Sequence, residues 1–258
     1  MDNETENKIL RCEYEKLLFE RDRVKKEADN YLRLYIHEFG ELLTELFRKK
    51  ISCIEKKKMI NYCQTAVNYG KLIDIEEMNR YIESEMSDYQ KQLNDMIENN
   101  KTSKNLDTIS QNEYLKIKKL YRKIAKKIHP DLNHVTENNP VLSELWINVM
   151  NAYHRNDLET LERLEVQINS VLRETDISAD ETDIPDIQDK IQALENEIEN
   201  IMSTDPYQYK FILDDEELVK EKKEELKKET EAYSMYENQL KDILKSLIER
   251  GAKFTWEN

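Results

Sequence analysis

Apolar residues recur along this chain at intervals of three, four and seven, and no stretch shows the period of two that marks a half-buried strand. Leu17, Val24, Ala28, Tyr31, Tyr35, Phe39, Leu42 and Leu46 line one face of a long first helix, a candidate coiled-coil seam. Gly40 interrupts that face and is a candidate kink. A second helix is expected over Glu55–Tyr69, with Gly70 as its stop signal. A third follows Asp74, where Asp74 and Glu77 have capping-box spacing, and runs to about Asn99. The polar stretch 99–110 reads as a linker.

Ser110 and Glu113 repeat the capping-box spacing and open a helix whose apolar face is Ile117, Leu120, Tyr121, Ile124 and Ile128. Pro130 ends it, because the residue before a proline is pushed out of the α region. After a polar loop, Pro140 reads as a first-turn proline. Leu142, Leu145, Trp146, Val149 and Tyr153 form the face of the next helix, and Leu161, Leu164, Ile168 and Leu172 that of another. An acidic, apolar-poor stretch at 174–183 reads as a second linker. Beyond it Ile187, Ile191, Leu194, Ile198 and Ile201 give one stripe, and Leu226, Tyr233, Leu240 and Leu247 a second with a seven-residue repeat. The last helix should be roughly 55 Å long. The final two stripes suggest an antiparallel helical hairpin. The expected architecture is all-α, in three consecutive regions: 1–105, 106–173 and 174–258.

Composition sharpens this picture. Only three glycines and four prolines punctuate 258 residues, and 36 % of the chain is charged, which suits long solvated helices. A net charge of −14 disfavours nucleic-acid binding, which needs many cationic phosphate contacts. Cys12, Cys53 and Cys63 are isolated and suit a reduced, cytoplasmic protein. The first ten residues lack the charge and apolar run of a signal peptide, and no run suggests a membrane span. His129 and His134 lie near Asp131, but no third ligand is suggested, so neither metal nor cofactor is expected. No nucleophile–base or paired-carboxylate pattern points to an enzyme.

One stretch departs from the acidic background. Lys116, Lys118, Lys119, Arg122, Lys123, Lys126 and Lys127 make one helix strongly basic, and His129-Pro130-Asp131 follows directly. A basic amphipathic helix, this tripeptide in a polar loop, and a second helix ending in Ala152-Tyr153 resemble the J-domain of DnaJ-type co-chaperones. The resemblance spans about 65 residues and implies a helical hairpin with the tripeptide at its turn. It also implies docking on a DnaK-type chaperone and stimulation of its ATPase. His129, Pro130 and Asp131 would make the central contact, with Tyr121, Arg122, Lys123, Lys126, Lys127 and Asn133 at or beside the docking face. Asp131 is suited to a charge-assisted bond from a partner arginine, and the basic helix to steering the encounter. The sequence departs from the family pattern in the internal position of this region and in the missing short first helix. Leu132 and Ile147 also stand where basic residues are common.

The expectation is thus a co-chaperone without enzyme activity of its own. Its helical arms would select an unidentified client and offer seams for self-association. The alternative is a coiled-coil scaffold with a vestigial J-like hairpin. His129, in a polar loop, is expected to have no core role.

Overall fold

The structure, a computed structural model, describes residues 3–103, 110–133, 136, 138–174 and 184–253. Among the described residues there are eight helices and no strand: α1 Asn3–Asn68, α2 Ile75–Ser103, α3 Gln111–Ile128, α4 Pro140–His154, α5 Leu158–Glu174, α6 Ile187–Ser203, α7 Tyr209–Leu213 and α8 Glu216–Lys253. The all-α expectation holds. Most of the helix ends follow the local chemistry. Asp74 Oδ1 accepts from the Glu77 N–H at 2.9 Å, and Ser110 Oγ from the Glu113 N–H at 3.2 Å. These bonds satisfy N–H groups that have no partner within the helix.

The compact units do not follow the chain order of the three expected regions. The chain divides into two compact units, one from residues 1–31 and 107–208, the other from 32–106 and 209–258. In the first unit, α3, α4 and α5 share one core. Ile117, Tyr121, Ile124 and Ile128 meet Leu142, Val149 and Tyr153, then Leu161, Leu164 and Ile168. Tyr14, Leu18 and Phe19 from the start of α1, and Ile191 and Leu194 from α6, complete it. Each such aliphatic side chain contributes roughly 1.5–3 kcal/mol when fully buried. A smaller cluster of Val24, Ala28 and Tyr207 continues the α1 stripe, with Tyr31, Ile198 and Ile201 beside it.

The second unit is built on the rest of α1. Phe39, Leu46 and Leu226 form one cluster, with Tyr233 beside them. Ile51, Cys63, Met78, Ile82, Met86 and Leu93 form another, flanked by Leu244, Leu247 and Ile248. Glu237 of α8 is held by Lys241, Lys49 and Lys56 at 2.9–3.2 Å, and accepts from Ser52 Oγ at 3.1 Å. The bond from Lys241, followed by those from the α1 lysines, brings its carboxyl down to about 2 against the opposing effect of burial. That stabilisation is complete above the ordinary carboxylate value of 4.5 and is lost as pH falls toward 2.

The expected C-terminal hairpin is therefore corrected. The α6 stripe is buried against α1, α3, α4 and α5 in the first unit, while the α8 stripe packs in the second. A periodic stripe requires a cover but does not name it. A break between residue 46 and Glu55 is also absent, because α1 runs uninterrupted to Asn68.

Gly40 is where Asn100 of α2 meets α1. Asn100 Nδ2 donates to Gly40 O at 2.8 Å and to Thr44 Oγ1 at 2.6 Å. A Cβ on Gly40 would collide with Asn100 Oδ1 and lie 2.8 Å from its Cγ. Alanine is favoured over glycine in a helix by roughly 1 kcal/mol. Losing the two Asn100 bonds should cost about 1–2 kcal/mol. Gly40→Ala should therefore be neutral or destabilising in the wild-type chain and stabilising in an Asn100→Ala background. A double-mutant cycle by thermal melting reads this as a coupling of about 1–2 kcal/mol; additive effects would refute it.

Candidate functional site

Pro130 stops α3 after Ile128, and His129 becomes its C-cap with extended backbone, φ −64° and ψ 125°. The carbonyl of His129 accepts from the N–H groups of Leu132 and Asn133 at 3.0 and 2.9 Å, closing a tight turn. Asn133 Nδ2 donates to Lys127 O at 2.8 Å, satisfying a carbonyl at the end of α3. On the far side, Asn139 Oδ1 caps α4 by accepting from Val141 and Leu142 N–H, with Pro140 in the first turn. The tripeptide thus sits at a turn whose two ends are fixed by caps.

His129 is only 3 % exposed, which corrects the expectation that it has no core role. Its ring lies edge-on to Trp146 with centroids 4.6 Å apart. The Asp131 N–H donates to His129 Nδ1 at 3.0 Å, so a neutral ring carries its proton on Nε2. That N–H lies 3.8 Å from Asp22 Oδ2 and 3.3 Å from Arg21 Nη2. With this tautomer the approach to Arg21 is between two donors and is not a hydrogen bond; the Asp22 carboxylate lies near both. Burial, offset in part by Asp22 and Asp131 and reinforced by Arg21, pushes the His129 pKa down.

Asp22 is the anchor of the cluster and is 1 % exposed. Its Oδ1 accepts from Arg21 Nη2 at 2.9 Å and Nε at 3.1 Å, and its Oδ2 from the Tyr121 hydroxyl at 2.5 Å. Arg21 Nη1 also donates to Asp131 Oδ2 at 3.2 Å. Burial works against the Arg21 charge, but Asp22 and then Asp131 outweigh it and raise its pKa. Tyr121 stacks on Tyr153 at 3.9 Å between ring centroids. Burial first, then Asp22, pushes its phenol far above the ordinary range.

The expected docking residues therefore divide. Tyr121 and Asn133 are buried and hold the turn from within. Leu132, in a position often basic in the resembled family, is a core residue. Arg122 is exposed and lies over the Phe19 ring at 5.7 Å. Lys123 pairs with Glu165 at 2.6 Å and Lys126 with Glu15 at 3.1 Å, while Lys127 donates to Asn169 at 2.6 Å. The Asp131 side chain is 40 % exposed and Pro130 is half-buried. His134 lies outside the described residues.

Arg21 and Asp22 were not among the residues expected at this site. A signal for Asp22 does exist in the sequence. Tyr14, Leu18, Asp22 and Lys26 follow one another at intervals of four, so two charged residues continue the buried stripe of α1. Lys26 reaches the Tyr153 ring, with Nζ 3.9 Å from its centroid. Among the described residues no group of His, Cys, Asp and Glu is placed to hold a metal ion, and no helix is long and apolar enough to cross a membrane.

The buried histidine carries a pH prediction. Its folded-state pKa lies below the ordinary 6.5, so the unfolded chain takes up the proton first as pH falls. Its contribution to stability is complete above about 6.5 and is lost below, as pH falls toward the lowered folded value. His129→Gln should lower stability at neutral pH by about 1–3 kcal/mol. It should also flatten the loss of stability between about pH 6.5 and pH 5. Thermal melts of both chains across that range test this; parallel pH profiles would rule out a buried neutral imidazole.

No protein-family model, no curated protein and no solved structure matches the chain.

Proposed function

We propose that this chain is a J-domain-type co-chaperone that docks on a DnaK-type chaperone and stimulates its ATPase. The observation that carries the reading is the half-exposed Asp131 carboxylate in a capped turn directly after the basic helix α3. A partner arginine placed at that carboxylate would form a charge-assisted bond in a site already held rigid by His129 and the turn. Lys116, Lys119 and Arg122 are exposed on α3 and add a positive surface that would steer an acidic partner toward it. The unpaired Cys12, Cys53 and Cys63 are in keeping with a reducing compartment such as the cytoplasm. Client selection falls to the helices outside the α3–α4 hairpin.

A specific observation favours the second reading, a scaffold with a vestigial hairpin. His129 is buried and Asp131 has a partner in its own chain, contacts that folding would keep whether or not the turn docks on a chaperone.

One variant separates the two. Asp131→Asn removes the charge of a half-exposed residue whose own-chain pair is worth no more than about 1 kcal/mol. The co-chaperone reading expects the full chain to stimulate ATP hydrolysis by a purified DnaK-type chaperone, with binding that weakens as salt rises. It expects Asp131→Asn to abolish the stimulation while the variant melts near the wild type. Stimulation that survives the substitution, or a wild type that gives none, selects the scaffold.

A further inference from the structure

The carboxylate assigned above to a partner's guanidinium already holds one. Arg21 Nη1 donates to Asp131 Oδ2 at 3.2 Å, from a side chain that is 15 % exposed. A guanidinium binds a carboxylate best through two parallel bonds, which need both oxygens. With Arg21 already on Oδ2, an incoming arginine must share that oxygen beside a like charge, so the two-bond fork is disfavoured until Arg21 leaves. Building on the co-chaperone reading, we infer that Arg21 is an own-chain competitor at the docking site: it closes Asp131 in the resting protein, and engagement of the chaperone requires Arg21 to release it.

The geometry makes this release local. Arg21 is held twice on Asp22, through Nε and Nη2 at 3.1 and 2.9 Å, and only once on Asp131. Asp22 is buried, whereas the Asp131 side chain is 40 % exposed. Breaking the Nη1 bond therefore leaves the guanidinium paired with its buried partner and gives the freed Asp131 oxygen to water. No buried charge is left uncompensated, so the contact can open without unfolding α1 from the hairpin. The bond from the Asp131 N–H to His129 Nδ1 does not involve Arg21. What changes is the availability of one carboxylate oxygen.

The cost of such a competitor appears as a population. If the pair is closed about four-fifths of the time, apparent affinity for the chaperone is about fivefold weaker than that of the open site. Substitution of Arg21 should therefore increase potency. A residue that only positioned Asp131 would have the opposite effect.

The test uses the full chain in a titration against a purified DnaK-type chaperone, with ATP hydrolysis as readout. Arg21→Met keeps the apolar stem and removes the guanidinium. Its half-maximal concentration should fall roughly 3- to 5-fold, with maximal stimulation unchanged. Because this variant leaves Asp22 with the Tyr121 hydroxyl but no cation, Arg21→Lys is measured beside it. A lysine keeps a positive charge near Asp22 but lacks the fork that spans both carboxylates. It should melt close to the wild type and shift potency in the same direction. Equal or weaker potency in a folded Arg21 variant overturns the inference. If that occurs while the wild type stimulates and Asp131→Asn does not, the co-chaperone reading stands and only the competitor role falls. A wild type that fails to stimulate overturns both.

Discussion

Burying a carboxylate costs several kcal/mol unless its charge and lone pairs are met inside the protein. Asp22 meets that demand with Arg21 on one oxygen and Tyr121 on the other. Tyr121 belongs to α3, and Arg21 reaches on to the turn that follows α3. The start of α1 is thereby keyed to the hairpin through bonds with a direction, which a purely apolar contact would lack. Leu18 and Phe19 supply attraction, but they would tolerate a slide along α3. The Asp22 bonds would not, because a slide of one turn would strand a buried anion. His129, Trp146, Tyr121 and Tyr153 pack around this anchor, so the aromatic layer and the ionic pair fix one register together.

The parts of this fold that were legible in the sequence are the parts decided within a few residues. Asp74, Ser110, Pro130 and Pro140 act on their own backbone or that of close neighbours, and each marks a helix end. The inward faces of α3, α4 and α5 were legible because helical spacing decides which residues share a face. What was hidden depends on residues far apart in the chain. Asp22 meets Tyr121 across 99 positions and Arg21 meets Asp131 across 110. The same limit explains the hairpin that did not form. Ile191 and Leu194 of α6 and Leu226 and Leu240 of α8 make stripes that suit each other, yet they are buried in different units. The contact at Gly40 was hidden for a related reason. The small size of this glycine serves Asn100, sixty positions away, and has no effect on the continuity of α1.

The basic face of α3 illustrates how composition misstates a surface. Seven cations and no acid between residues 116 and 127 suggest an uncompensated charge. The fold brings acids from other helices to it, with Glu165 on Lys123 and Glu15 on Lys126. Both lysines remain more than half exposed, so each pair contributes at most about 1 kcal/mol. The field that a distant partner senses is reduced, but the capacity to form contacts is kept.

The charged residues around the turn lie in two layers. Lys123, Lys126 and Asp131 are each half-exposed and each paired inside the chain, while His129, Tyr121 and Asp22 beneath them are buried. The buried layer sets where the exposed charges stand. Changing His129 or Tyr121 therefore alters stability first and any surface contact second. Changing Asp131 does the reverse. The depth of each residue, more than its place in the tripeptide, decides which measurement reports on it.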